Sequence, residues 1–341
     1  MKSDITVANA IGNSSDTFIE KWKEILEVSI SGRVAWFQVF FNTTLVMIFV
    51  AGVCGNLLTC LVIYYNKNMH TVTNYYLFNM AVSDLLVAFA LLIDLNGYTG
   101  YPYDVYGDQL CKLNFFLVGI LWNNSILTIS VLAVERFIAV WHPLLLDKEL
   151  EWRRVMRIIF FIWVIAFIEA IPEVFTVNLL KVRGSSVCFI VPTPFAKQLN
   201  GILGLVSFVI PLGINILMYT MVAFKVNATQ TSYNHSGSQV FNRGNSSKKV
   251  NKLVMALTVS FMVCWMPFFA MRIMIYTLDV GRPSWYLRNW DLLLMLMTIN
   301  CWFSTVLNPL LSLMSVKFRN ALKAFWNTKF KRPQLKPRNT S

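Results

Sequence analysis

Seven stretches of this sequence, residues 37–65, 74–98, 111–141, 154–175, 197–226, 248–278 and 287–314, are apolar over about 20 residues or more. An α-helix rises about 1.5 Å per residue, so about 20 residues cross a hydrocarbon layer about 30 Å thick. The chain is therefore read as an all-α membrane protein, a seven-transmembrane helix bundle. Its composition agrees: 56% of the 341 residues are hydrophobic and 14% charged, against about a quarter charged in soluble domains. Several runs exceed the membrane thickness, so those helices tilt or continue beyond it.

Lys and Arg gather on the cytoplasmic side of membrane proteins. With the N-terminus outside, the inner segments carry Lys67, then Lys148, Arg153, Arg154 and Arg157, then Lys225, Arg243, Lys248, Lys249 and Lys252; the tail adds Lys317, Arg319, Lys323 and several more. The outer segments hold about half as many, so the N-terminus is assigned outside and the C-terminus inside. The expected organisation is an extracellular segment 1–36, a transmembrane domain 37–314, a membrane-surface helix 315–327 and a cytoplasmic tail 328–341. No short apolar core with a small-residue cleavage site opens the sequence, so the first span is expected to direct insertion. The net charge of +13 reads as a cytoplasmic surface facing anionic membrane lipid, which removes most of the case for nucleic-acid binding.

The connecting segments carry their own signals. Residues 178–196 combine an alternating Val-Cys-Phe-Ile-Val stretch with a Gly-Ser turn signal, compatible with a hairpin over the outer mouth. Residues 227–247 are polar and rich in Ser and Asn, and read as a flexible cytoplasmic loop. Behind the last span, Phe318, Leu322, Phe325 and Trp326 recur at helical spacing with Lys317, Arg319 and Lys323 on the polar side, a short amphipathic helix on the inner leaflet. Cys54, Cys60, Cys264 and Cys301 lie within spans and serve as small apolar residues. Cys111 and Cys188 fall in outer segments, where oxidation is permitted; a disulfide between them is expected, the alternative being two unrelated thiols. Of the Asn-x-Ser/Thr sequons, Asn13 stands outside as a plausible glycan acceptor and Asn42 is borderline at the membrane edge.

Within the spans, polar residues are the informative ones. Asp84 lies mid-span, where an unpaired carboxylate is costly, so it faces the bundle interior. Glu135 and Arg136 stand side by side at the cytoplasmic end of the third run. Pro267 follows Trp265 by two residues and removes a backbone hydrogen bond, giving the sixth span a place to bend. Gly55 with Asn56, FNMAVSDLL around Asp84, Cys111, VERFIAVWHPL around Arg136, Trp163, Pro211 with Tyr219, FMVCWMP around Trp265 and LNPLL at Asn308 follow in order across nearly all of the chain. In this the chain resembles a rhodopsin-like (class A) G-protein-coupled receptor.

The resemblance implies roles residue by residue. An interior site for an allosteric sodium ion is matched by Asp84, Ser125, Ser304 and Asn308, oxygen-bearing residues suited to a small hard cation; the alternative is an Asp84 merely hydrogen-bonded to Asn56 and Asn308. A transmission contact beneath the ligand is matched by Ile126, Pro211 and Phe261, and an activation switch by Glu135, Arg136, Tyr219, Trp265, Pro267, Pro309 and Ser312. In the closed state Glu135 is expected to neutralise Arg136. Implied partners are an extracellular agonist, a heterotrimeric G protein and an arrestin.

Three departures stand out. Glu135 replaces the family aspartate and Phe137 the tyrosine after the arginine. Ser312 stands where the Asn-Pro-x-x-Tyr motif has its tyrosine, which puts signalling efficiency in question. The foot of the sixth span has Ser247 and Lys248 where an acid would restrain Arg136.

Exclusion narrows the ligand. Val118 occupies the place of the amine receptors' aspartate, and Trp302 that of the retinal-binding lysine. A peptide or another polar agonist is left, with Asp94, Val118, Glu169, Arg272 and Trp302 as ligand-site candidates and Glu173 beside Glu169. Arg272 lies about two helical turns outward of Trp265, placed to meet a carboxylate or a C-terminal amide, or else to snorkel to water or pair with a nearby acid. The expectation is thus a plasma-membrane, multi-pass receptor, with peptide receptors of the neuromedin, thyrotropin-releasing-hormone or insect-neuropeptide kind as the nearest type. A non-signalling or weakly coupled binding protein, resting on Ser312, and a receptor for a small non-amine ligand are the alternatives. Intramembrane charges are too few and scattered to mark a channel or transporter path, and His70, His142 and His235 join no nucleophile or metal-ligand set that would mark an enzyme.

Overall fold

The computed structural model describes residue 20 and residues 35–97, 103–142, 151–182, 185–190, 193–234, 255–256, 258–260, 262–273 and 290–330. Among these residues six helices are long and apolar enough to cross a membrane, and Thr258–Ile273 forms a shorter apolar helix in the place of the sixth run. Span one is Ala35–Tyr65, span two Val72–Gly97, span three Tyr103–Trp141 and span four Glu151–Ala170 with a 3-10 extension Ile171–Phe175. Span five runs from Pro194–Gly204 through a π-turn Leu205–Val209 into Ile210–Asn234. Span seven is Trp290–Met314, followed by a surface helix Val316–Phe330.

Two boundaries differ from the sequence reading. The helix of span three starts at Tyr103 rather than near Cys111, with a break at Gly107, whose φ of 65° lies in the left-handed region glycine tolerates. Span five continues as helix to Asn234, into the stretch that composition assigned to a loop. Propagating an existing helix costs far less than nucleating one, so polar residues prolong it.

The outer loop forms an antiparallel hairpin, strand Val177–Val182 on strand Ser185–Ile190, with Leu179 opposite Cys188. Cys188 is disulfide-bonded to Cys111, which ties the hairpin to the head of span three. The Leu179 amide also donates to Asp108 Oδ1 at 3.2 Å.

Close approach of spans one and seven depends on two glycines. A Cβ at Gly55 would lie 2.7 Å from Pro309 Cγ, and one at Gly52 would lie 2.9 Å from Thr305 Oγ1. Small residues at such crossings allow the backbone contact that drives helix association in lipid. One set of polar side chains buried between spans two, three and four is satisfied internally. Asn79 of span two accepts from Trp163 Nε1 at 3.0 Å and donates to Thr128 Oγ1 at 2.9 Å and to Asn124 Oδ1 at 3.3 Å, while Asn124 donates to Ser83. Three spans are thereby joined where lipid supplies no alternative partner. Outward positions such as Phe40, Met47, Phe160, Phe161 and Phe224 are exposed apolar groups, as a lipid-facing surface requires.

The surface helix is anchored at its start. Phe318 is buried against Val62, Ile63, Met69 and Leu77, and Phe325 packs its ring 5.6 Å from Tyr65. Arg319 Nη1 donates to the terminal carbonyls of span seven, Leu313 at 3.3 Å and Met314 at 3.2 Å. A cation at a helix C-terminus complements the orphan carbonyls there.

Candidate functional site

One helical face of span three lines two cavities stacked along the bundle. The outer one is walled by Gly119, Asn123, Glu173, Phe268, Phe269 and Arg272, and the inner one by Asp84, Ser125, Ser304 and Asn308 among others. Trp122 and Trp265 border both. Their ring centroids are 4.3 Å apart in an edge-to-face arrangement, and Trp122 also meets Phe268 at 5.3 Å and Trp302 at 6.1 Å. Such contacts add about 0.5–1.5 kcal/mol each beyond burial, so this aromatic floor is a stable partition. Trp122 was not singled out from the sequence; its place one turn inward of Gly119 and beside Asn123 was the available signal.

In the outer cavity the decisive pair is Arg272 with Glu173. Arg272 is 3% exposed, and its Nη2 lies 2.9 Å from Glu173 Oε1, an ion pair whose N–H direction does not align as a hydrogen bond. The guanidinium also faces the Phe268 ring, 5.1 Å from its centroid. Arg272 Nε and Asn123 Nδ2 are buried without hydrogen-bond partners. Two donors and a carboxylate thus converge on one space enclosed by aromatic rings. Gly119 lies against Glu173, where an added Cβ would stand in ordinary contact, 3.4 Å from Oε2. The sequence reading left Arg272 open between ligand, water and acid; its partner here is an acid of span four.

The remaining ligand-site candidates separate. Glu169, one turn before Glu173, has a buried Oε2 without a partner. Val118 and Trp302 are buried in the apolar cluster of spans one, two, three and seven, with Leu45, Leu91 and Met295. The Asp94 side chain, Phe261 and Asn13 lie outside the described residues.

The inner cavity brings together all four residues matched to a sodium site. Asn308 Nδ2 donates to Asp84 Oδ2 at 2.8 Å. The Ser125 hydroxyl donates to Leu121 O at 3.1 Å and that of Ser304 to Cys301 O at 2.6 Å, so each oxygen keeps lone pairs for the cavity. A carboxylate with two hydroxyl acceptors is a donor set that fits a small hard cation. Asn56 does not bond Asp84; it donates instead to Thr305 O at 2.8 Å and Gly52 O at 2.9 Å.

That Asn56 bond exposes a rule for the prolines. Proline lacks an N–H, so the carbonyl four residues earlier loses its helical partner. Pro309 orphans Thr305 O, and Asn56 of span one supplies the missing donor. Pro267 orphans Val263 O, and Asn300 of span seven donates to it at 3.1 Å and to Cys264 O at 2.9 Å. Pro211 lies four residues beyond Ser207, where the helix widens into the π-turn and the Ile210 amide reaches Leu205 O. Proline spacing alone does not locate Asn56 and Asn300, because each donates to the orphaned carbonyl from another span. Ile126 and buried Pro211 sit at this level, Ile126 within the cluster holding Trp265, Phe208 and Phe269.

At the cytoplasmic end the charges pair differently from expectation. Glu135, 3% exposed, is ion-paired with Arg154 of span four, Oε1 to Nη1 at 3.1 Å and Oε2 to Nη2 at 3.2 Å. Arg136 Nε is buried without a hydrogen-bond partner. Successive side chains on a helix point about 100° apart, so neighbours in sequence do not face each other. Tyr219 OH accepts from Thr258 Oγ1 at 3.1 Å, joining spans five and six. Trp141 Nε1 donates to Met221 O at 3.2 Å. Ser312 is 2% exposed and donates to Asn308 O at 3.0 Å.

Apolar helices long enough to cross a membrane, a cavity with buried polar groups, a second polar cavity beneath it and a charged end at Glu135 and Arg136 together define a multi-pass membrane receptor fold. A family model described as the seven-transmembrane receptor (rhodopsin family) matches residues 55–311, and the chain belongs to that family. It is 29% identical to the pyrokinin-1 receptor of Drosophila melanogaster, over 86% of this chain and 81% of that one. Identity to neuromedin-U receptor 1 of Mus musculus is 32%, over 81% of this chain and 70% of that one. The growth hormone secretagogue receptor type 1 of Homo sapiens is 30% identical, over 82% of this chain and 79% of its own length.

Proposed function

We propose that this chain is a plasma-membrane receptor, N-terminus outside, that binds a peptide agonist in the outer cavity and activates a heterotrimeric G protein at its cytoplasmic end. The observation that carries the reading is the convergence of Arg272, Glu173 and Asn123 above the Trp122–Trp265 floor. Donors already desolvated, and left without partners, gain from a ligand that supplies acceptors. An agonist shifts the receptor toward its open state only by binding that state more tightly. Contact with the floor gives such a ligand a route to Trp265 and to the Pro267 hinge beside it.

Sodium in the inner cavity, held by Asp84, Ser125, Ser304 and Asn308, would favour the closed packing by drawing spans two, three and seven together. Replacing sodium by choline should lower the melting temperature of the purified receptor, and Asp84→Asn should remove that difference. For agonism, cells expressing the full chain are exposed to pyrokinin, neuromedin U and growth-hormone-secretagogue peptides, with calcium and cyclic-nucleotide readouts. Response to one peptide class, weakened by Arg272→Ala, is the expected result. Surface-expressed receptor that answers none, and activates no G protein without ligand, would sink the reading.

A further inference from the structure

Among the described residues, the acid pair of span four meets one buried cation. Glu169 and Glu173 stand one turn apart on span four and face each other electrostatically. Arg272 is ion-paired with Glu173, and among the described residues no salt bridge reaches Glu169. Glu169 Oε2 is buried without a hydrogen-bond partner. On span five, Ser207 is 2% exposed, its Oγ buried without a hydrogen-bond partner and close enough to the Glu169 carboxyl to interact with it. The π-turn Leu205–Val209 before Pro211 holds this hydroxyl in place. Helix widening of this kind is frequent at functional sites because it re-aims a side chain.

We infer that Glu169, Glu173 and Ser207 form a subsite for an organic cation of the ligand, a guanidinium or an ammonium, which serves as the second counter-ion of the acid pair. One buried and one half-buried carboxylate with one internal cation leave a negative charge only partly screened by water, a state stabilised by a charged, multi-donor partner. Of the three, Glu173 lines the outer cavity and is the member a ligand there would meet first. Phe269, another wall of that cavity, stacks at 3.9 Å on Phe208, the neighbour of Ser207. Aromatic walls suit a weakly hydrated cation. Asn123 and Arg272 Nε, both donors, serve the acceptor groups of the same ligand, so the cavity has two poles.

The inference rests on the peptide-receptor reading for the source of the cation, yet its test needs no signalling. Melting of the purified full chain is followed with rising N-acetyl-arginine methylamide, its lysine analogue, and the neutral isostere N-acetyl-citrulline methylamide. The arginine and lysine probes are expected to raise the melting temperature saturably and the citrulline probe not. Glu169→Gln should weaken the cationic probes at least tenfold, and Ser207→Ala should weaken the arginine probe if the Gln variant does not fold. An equal shift by citrulline, no shift by either cation, or an unchanged arginine response in both variants would overturn the subsite. A failed peptide screen with a positive cation response would instead locate the error in the proposed agonist class.

Discussion

Glu135 of span three is held by Arg154 of span four through two N–O contacts, 3.1 and 3.2 Å long. The acid beside the switch arginine is therefore restrained from a different helix, and Arg136 is left with a buried Nε that no acceptor meets. Replacing Arg154 strands a buried carboxylate. Arg154→Gln should cost about 1–3 kcal/mol of stability. Because about 1.4 kcal/mol is a factor of ten in an equilibrium, the same change should raise agonist-independent nucleotide exchange severalfold. Unchanged basal exchange in a folded Arg154→Gln receptor would assign the pair to stability alone.

The Asn300 contact with the Pro267 hinge makes a prediction about coupling. Asn300→Ala should cost about 1–2 kcal/mol, since it leaves Val263 O without its donor and removes one of the donors to Cys264 O. In a Pro267→Ala background the restored backbone N–H serves Val263 O, and the cost should fall below about 0.5 kcal/mol. A double-mutant cycle on melting measures this, and equal costs in the two backgrounds would show that Asn300 acts elsewhere.

Trp122 divides the two cavities and meets three aromatic rings. Trp122→Ala should destabilise the receptor by about 3–5 kcal/mol, and Trp122→Phe by less. If the floor transmits agonist binding, Trp122→Phe lowers maximal response while agonist affinity stays within about threefold. Saturation binding alongside nucleotide exchange separates the two quantities.

Ser312 invites the substitution that would restore a family tyrosine, but its side chain is 2% exposed and, among the described residues, bonded only to its own helix at Asn308 O. Ser312→Tyr overfills this position and should cost about 1–3 kcal/mol. Ser312→Ala removes one back-bond to the preceding turn and should change stability by less than about 1 kcal/mol. Surface expression and melting of the two variants decide the point; a Tyr variant as stable as the parent would reveal space that the closed packing does not show.

The Cys111–Cys188 bond closes a segment of 77 residues and pins the hairpin to span three. Cys188→Ser should cost about 2–5 kcal/mol by freeing the unfolded chain and releasing the hairpin from the head of span three. Mild reduction of the intact receptor should reproduce the loss in ligand affinity, measured by binding to washed membranes.

Apolar length sufficed to read a bundle of membrane helices, because a hydrocarbon layer imposes one dominant demand on any segment that crosses it. Motif order located Asp84, Asn308 and Trp265 at the level where the two cavities are found, since each lies a countable number of turns from a membrane boundary. The alternating run around Cys188 read as a hairpin for a similarly local reason. Partner choice was not readable in this way. Glu135 chose Arg154 over its sequence neighbour, Arg272 chose Glu173, Asn56 and Asn300 found the carbonyls orphaned by Pro309 and Pro267, and Trp122 became a floor. Each of these depends on how neighbouring helices are rotated about their axes, a quantity set by side-chain packing between spans rather than by spacing along any one of them.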